Sequence, residues 1–306
     1  MKILLAHNYY QLRGGEDSVV ANEKKLLEEN GNEVITYFKH NKEINTYSKL
    51  KKLELIQTTS FSKASYADLI QFLKIEQPDI CHVHNFLPLI SPAIFSACND
   101  LKIPVIQTLH NYRLICTNGL LFRDGRVCED CLSGSIYGSV IKKCYRNSSI
   151  QTYAIAKMID KNRVNGTWNH KVDAYFCLTE FAKKKFVEGG LPNEKIIIKP
   201  NFVEQPIIEP RNEVKSPYLI FVGRLDSTKG VNLLIEIADE LPLPLKIVGE
   251  GDLSKVFEGK HNIELLGKLS NIETQQYMRK ATALIFPSIW YEGMPMTILE
   301  AFANQT

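Results

Sequence analysis

A chain of 306 residues with 44% hydrophobic and 23% charged side chains has the composition of a soluble globular protein, long enough for two domains with separate cores. The net charge of +3 hides an asymmetry: residues 1–200 carry 27 basic against 20 acidic side chains, and residues 201–306 carry 10 against 14. No run of 18 apolar residues occurs, the opening Met-Lys-Ile-Leu-Leu-Ala-His is too short for a signal-peptide core, and no arginine-rich motif is present. A cytoplasmic protein without a nucleic-acid partner is expected. The basic first half suits an anionic membrane surface or an anionic acceptor, or is ordinary surface charge.

Residues 2–6 form an apolar run, Arg13-Gly14-Gly15-Glu16 a turn, and residues 19–29 place Val19, Val20, Leu26 and Leu27 among charges. Strand, glycine turn and helix are predicted. Gly31 ends the helix, residues 33–38 read as a second strand, and residues 69–75 as a helix closing before Pro78. Residues 80–83 and 105–108 are short β-rich runs, followed by a less regular insertion over 112–148. Residues 174–178 and 195–198 continue the strand series. Pro200, Pro206, Pro210 and Pro217 then punctuate a charged stretch, making 201–216 the linker between a domain of residues 1–200 and one of residues 217–306.

Beyond the linker the pattern restarts. Strands are predicted over 218–222, 245–248, 263–266 and 283–286, with helices over 231–241 and 273–281 and a further helix from Met296. Alternating strands and helices predict an α/β protein of two Rossmann-like domains on parallel sheets. A doubly wound domain usually continues past four strands, so the second reads as truncated.

Ligands of open α/β sheets sit beyond the carboxyl ends of the strands. His7, Gly14-Gly15-Glu16, His84, His110, Arg224, Gly249-Glu250-Gly251 and Glu292 all follow predicted strands, which points to one cleft between the domains. Gly14 and Gly15 permit close backbone approach at a helix start that favours an anion, although a plain tight turn has the same pattern. Arg224 and Lys229 are spaced to hold a diphosphate, one as a planar fork and the other as a point charge, unless both are solvated surface cations. Glu292-Gly-Met-Pro-Met-Thr-Ile-Leu-Glu300 places one carboxylate on a loop and a second about two helical turns on. The pair could act as acid and base, accept sugar hydroxyls or face solvent. The amides of Gly293 and Met294 are expected at the helix start, able to bind sugar or phosphate. Anion and polyol binding together suit a nucleotide-sugar.

His110 ends a strand and is structural or functional. His82 and His84 alternate and therefore share a face. No nearby carboxylate is expected to complete a metal set there, and His84 and His7 read as cleft or structural residues. Cys116-x11-Cys128-x2-Cys131-x12-Cys144 fits a tetrahedral thiolate site, most simply zinc, against reduced free thiols or an iron–sulfur or redox pair. Cys81, Cys98 and Cys177 read as small buried hydrophobes.

Together these residues resemble glycosyltransferase family 4, the retaining GT-B enzymes. The matching pieces are Gly14-Gly15-Glu16, His84, His110-Asn111, Pro200-Asn201, Gly223-Arg224, Lys229-Gly230, Gly249-Glu250-Gly251, Glu292 and Glu300, spread over nearly the whole chain. His-Asn-Tyr-Arg running into the cysteine loop resembles a bacterial subgroup of cell-surface polysaccharide assembly. The resemblance implies a GT-B fold of two Rossmann-like domains facing a cleft, the second incomplete. It implies a hexosyltransferase-type, nucleotide-sugar-dependent enzyme with His110 and Glu292 as catalytic residues. Arg224 and Lys229 would hold the diphosphate, Glu300 the ribose, and Gly15 would approach the diphosphate or acceptor. Gly249, Gly251, Gly293 and Met294 would complete the donor site. No catalytic metal is implied. The acceptor would be a saccharide or polyprenyl-linked saccharide on the first domain, at the inner face of the cell membrane. Because family members continue past Glu300, weak or no activity is expected of these 306 residues. A catalytically silent truncated nucleotide-sugar-binding protein is the main rival; a sugar-nucleotide epimerase of the same fold fits the motifs less well.

Overall fold

The computed structural model describes residues 1–11, 14–204 and 216–306; Arg13 and most of the expected linker, with Pro206 and Pro210, lie outside the described residues. The chain forms two compact units, Met1–Leu121 with Cys128–Asn201, and Phe122–Val127 with Phe202–Thr306.

The first 121 residues run β1 (Lys2–Tyr9), α1 (Gly15–Glu29), β2 (Glu33–His40), α2 (Lys49–Thr58), α3 (Lys63–Glu76), β3 (Ile80–Asn85), α4 (Ala93–Asp100) and β4 (Val105–Leu109). A small antiparallel hairpin, β5 (Phe122–Arg123) and β6 (Arg126–Val127), groups with the second unit. The first unit resumes with α5 (Asp130–Ser133), α6 (Gly138–Ile141), α7 (Ser149–Val164), α8 (Thr167–His170), β7 (Ala174–Cys177), α9 (Glu180–Glu188) and β8 (Ile196–Ile198). Its sheet has the order β2-β1-β3-β4-β7-β8 with every pair parallel. A parallel sheet is covered on both faces, so its strands are apolar without alternation. Leu4, Leu5, Ala6, Cys81, Val83 and Val105 are accordingly buried. Near their carboxyl ends β1, β3 and β4 break that rule, burying His7, Asn8, His82, His84, Gln107 and Thr108. Buried polar groups are costly unless paired, and their pairing builds the site described below.

The second unit runs β9 (Leu219–Val222), α10 (Val231–Ile237), β10 (Leu245–Val248), β11 (Ile263–Gly267), α11 (Asn271–Lys280), β12 (Ala283–Leu284) and α12 (Met296–Ala303). Its parallel sheet has the order β11-β10-β9-β12. Successive β9 residues face opposite sides: Phe221 packs with Leu225, Leu234 and Ile247, and Ile220 with Tyr218, Val248 and Ala281.

Several boundaries differ from expectation. α1 starts at Gly15 rather than at 19 because Gly14 and Asp17 cap it, and α3 starts at Lys63 because the Ser62 hydroxyl accepts from the Ser65 amide at 3.1 Å. β12 ends at Leu284 rather than 286, and α10 gives way after Ile237 to a single 3-10 turn. Helices α2 and α4 to α9 are not expected from the sequence pattern. No described helix is long and apolar enough to cross a membrane.

Candidate functional site

In the first unit the site begins where α1 is capped. Gly14 is extended, its N–H donates to Asp17 Oδ2 at 3.1 Å, and the Asp17 amide donates back to the Gly14 carbonyl at 3.1 Å. The other Asp17 oxygen lies 2.9 Å from His7 Nε2, joining the end of β1 to the first turn of α1. Gly15 opens this helix. Next to it, Glu16 Oε2 accepts from the Tyr10 hydroxyl at 3.2 Å and from the Asn111 amide at 3.5 Å. Burial pushes the Glu16 carboxyl up to about 8, with the Asp17 charge adding to it, while Tyr10, Arg113 and Asn111 pull the other way without cancelling the desolvation.

Deeper lies a row of imidazoles, two on β3 and one directly after β4. His84 Nδ1 is 2.9 Å from His110 Nε2, and His82 Nε2 is 2.7 Å from Thr108 Oγ1. Glu23, from α1, places Oε2 3.3 Å from His84 Nε2 and 3.5 Å from His82 Nδ1, while Lys199 pairs with its Oε1. The expectation that no carboxylate stands near the two histidines is therefore corrected: α1 folds back over β3 and delivers one. Among the described residues, Glu23, His82 and His84 bring three ligand atoms within 4.8 Å of one another, a spacing a cation accepts, but the Lys199 ammonium already neutralises this carboxylate. Burial first, and neighbouring imidazoles second, hold His82, His84 and His110 well below the usual histidine value, so all three are neutral near pH 7. His84 is buried, whereas His110 is partly open to a cavity of about 500 Å³. Glu16, His110, Asn111, Arg113 and Tyr145 give that cavity polar walls, and Leu55, Ile56, Phe86, Leu87, Leu114 and Ile155 apolar ones. This is a size and character suited to a small ligand.

In the second unit three loops beyond the carboxyl ends of the strands are stitched together by backbone. The Gly223 amide donates to Val248 O and the Leu225 amide to Glu250 O, each at 3.0 Å, so the loop after β9 lies along the loop after β10. Gly249 has φ +141°, and a Cβ there would sit 1.9 Å from Gly223 O; one on Gly251 would sit 2.4 Å from Leu225 O. Both positions require glycine. The Ile289 amide reaches Thr228 O at 3.1 Å, which brings in the loop after β12. Lys229 is thereby placed against Glu292, Nζ to Oε1 2.5 Å, and Ser288 Oγ donates to the same oxygen at 2.7 Å. Trp290 and Phe286 flank the ammonium, their ring centroids 5.4 and 5.8 Å away. Arg224 is different: its side chain is 66% exposed, 3.3 Å from Asp226.

Glu300 sits in the second turn of α12, accepts from Asn271 Nδ2 at 3.5 Å, and has its carboxyl pushed up by burial. The amides of Gly293 and Met294 are not in the first helical turn as expected. Pro295, extended at φ −69° and ψ 124°, caps a helix that begins at Met296, so both residues belong to the preceding loop.

None of the seven cysteines is in a disulfide. Cys116, Cys128 and Cys144 all act electrostatically on Cys131, whose thiol is pushed up to about 12 by burial first and then by these neighbours. The four therefore share one locality, although they are not drawn to the 4.8 Å spacing found for Glu23, His82 and His84.

Asp17, Glu23 and Lys199 were missed by the sequence reading, and Glu16 entered it only as part of the turn motif. One signal was present: Glu23 lies four residues after Val19 and three after Val20, on the buried stripe of α1.

Residues 13–205 match the family described as Glycosyltransferase Family 4, and residues 204–306 match Glycosyl transferases group 1. The chain belongs to glycosyltransferase family 4. An uncharacterised glycosyltransferase of Methanocaldococcus jannaschii is 28% identical to this family 4 chain, over 99% of it and 76% of that relative. The O-antigen biosynthesis glycosyltransferase WbnH of Escherichia coli is 35% identical over 42% of this chain and 38% of its own length. Among solved structures, the lipopolysaccharide outer core galactosyltransferase WaaB superposes with a TM-score of 0.60 at 18% identity, covering 99% of this chain and 78% of that one. Anabaena HepE in complex with UDP and glucose gives 0.62 at 15% identity with the same coverage. The fold is GT-B.

Proposed function

We propose that this family 4 glycosyltransferase moves a hexose, with retention, from a nucleotide-sugar to a saccharide or polyprenyl-linked saccharide in surface polysaccharide synthesis. One observation carries the reading: the loops after β9, β10 and β12 converge so that glycine backbone, Lys229 and Glu292 form one small polar site. The name of WbnH and the ligands of HepE support the pathway and the donor class. Arg224 and Lys229 take the diphosphate, whose developing charge they stabilise as the anomeric carbon–oxygen bond breaks. Glu292 accepts sugar hydroxyls and Glu300 the ribose hydroxyls, while the 249–251 turn and the Gly293 and Met294 amides lie along the donor. Gly15, at the start of α1, is assigned to the diphosphate or the acceptor. His110 accepts a sugar hydroxyl. The acceptor oxygen bonds to the anomeric carbon on the face the phosphate leaves, and its proton departs with the phosphate oxygen. Protein cations carry the leaving-group charge without a catalytic metal.

The test is a panel of nucleotide-sugars in thermal unfolding, then transfer to lipid-linked saccharides with the product anomer read by NMR. A donor at 100 times its Kd adds about 2.7 kcal/mol of stability. A panel with no stabilising member, or a product of inverted configuration, sinks the reading.

The cavity of the first unit is the proposed acceptor site. Helix α2 borders it through Lys52, Leu55 and Ile56 and buries none of its own residues, leaving Leu50 81% and Leu53 63% exposed beside Lys49 and Lys51. That mixture of cations and apolar side chains suits an anionic lipid surface at the inner face of the membrane. Binding to phosphatidylglycerol vesicles and not to phosphatidylcholine vesicles is expected, with loss of binding in L50E/L53E. For the cysteine loop we propose a structural zinc on Cys116, Cys128, Cys131 and Cys144, which share one locality and are not in disulfides, so they can supply four thiolates. One equivalent of zinc per chain, lost in C128S/C131S, is expected; a metal-free protein of unchanged stability counts against it.

A further inference from the structure

The buried row around Glu23 is more than packing. Two neutral imidazoles 2.9 Å apart must share one proton between them, and which ring donates decides what the outer ring offers its ligand. His84 Nε2 makes no linear hydrogen bond, yet lies 3.3 Å from Glu23 Oε2. A lone pair facing that carboxylate is repelled, whereas an N–H is attracted even off-line. His82 faces the same oxygen with Nδ1 at 3.5 Å, and its Nε2 is left to accept from the Thr108 hydroxyl. Lys199 holds the other oxygen and so fixes the carboxylate in place.

We propose that Glu23 and His84 are positioning residues that set the tautomer of His110. The Glu23 carboxylate keeps the His84 proton on Nε2, so His84 Nδ1 is bare and accepts from His110 Nε2–H. His110 then carries its lone pair on Nδ1 and acts as a hydrogen-bond acceptor. A hydroxyl of the substrate is the group such an atom selects, and an anionic oxygen is the group it rejects. The inference rests on the transferase reading for its kinetic consequence but not for its spectroscopic one. It also accounts for a buried carboxylate on α1 and its partly exposed lysine partner next to β8, which the donor site does not use.

The experiment has two arms. With histidine ring nitrogens labelled, long-range proton–nitrogen NMR at pH 7 is expected to show His84 and His110 each protonated on Nε2 and bare on Nδ1. The spectrum of E23Q is expected to show a mixture at both rings. Protonation of His110 on Nδ1, or an unchanged E23Q spectrum, overturns the proposal. In the second arm, H84L is expected to lower kcat on the order of 100-fold with donor KM within about twofold, since an undirected acceptor misplaces the substrate. H84N should recover at least about tenfold of that loss, its Oδ1 accepting where Nδ1 did. Equal losses in H84L and H84N would reduce His84 to packing and overturn the proposal. If wild-type protein transfers no sugar, the transferase reading fails while the ring spectra still decide the tautomer.

Discussion

The two units hold their polar groups by opposite means. In the first, the candidate site is held by burial: Glu16, Glu23 and the histidine row lie within or beside the sheet, and desolvation shifts Glu16 up and the three histidines down. In the second, function is held by backbone: glycines let three loops touch, and the charged side chains stand partly in solvent. A buried site is sensitive above all to a change of charge, and a backbone-stitched site above all to an added side-chain atom.

The sharpest way to break that contrast is Gly249→Ala. The added methyl meets Gly223 O at 1.9 Å in a conformation side chains rarely adopt, so the variant should lose more than about 3 kcal/mol and all donor-induced stabilisation. A thermal unfolding curve matching wild type would show that backbone contact is not what holds the second site.

Next in size is the pair Lys229 and Glu292. Lys229→Met strands a partly buried carboxylate and should cost about 1–3 kcal/mol, whereas K229M/E292Q should cost less than the sum of its single changes. Additive losses in chemical denaturation would mean the two do not act as one unit.

Glu16→Gln probes the burial side. The folded carboxyl lies at about 8 against an ordinary 4.5, with Tyr10, Asp17 and Arg113 the charged or titratable groups acting on it. Between those values the folded state binds more protons than the unfolded one, so this group makes stability fall as pH rises. The glutamine variant should match wild type near pH 4 and melt about 2 °C or more above it at pH 8. A constant difference across that range would show the carboxyl is ionised throughout.

The smallest structural effect is expected of Arg224→Lys. Stability should stay within about 0.5 kcal/mol because the side chain is 66% exposed. Donor affinity should still fall about tenfold in calorimetry, because an ammonium does not reproduce the guanidinium fork.

Strands were the legible part of the fold, because a parallel sheet writes each one as a short apolar run between turn residues. Helices read less well. α2 buries no residue and so has no stripe to find, while α7 buries Ala154, Ile155 and Ala156 in succession and blurs its period. Within the candidate site, Gly249, Lys229 and Glu292 were visible because loops after strands carry their chemistry in contiguous motifs. Glu23 was not, because its partners His82, His84 and Lys199 come from distant segments and a glutamate in a charged helix looks solvated. Residue order carries motif chemistry well and long-range pairing poorly.

Asp17 sets a limit on how this chain can change. One of its oxygens takes the Gly14 amide and the other meets His7, so a single side chain both starts a helix and anchors an imidazole. Asparagine keeps both contacts only by turning its NH2 toward His7 Nε2, which must then accept with the ring proton on Nδ1, and serine is too short to span both. A change at this position therefore reaches beyond the helix start, because it also fixes which nitrogen of His7 carries the proton.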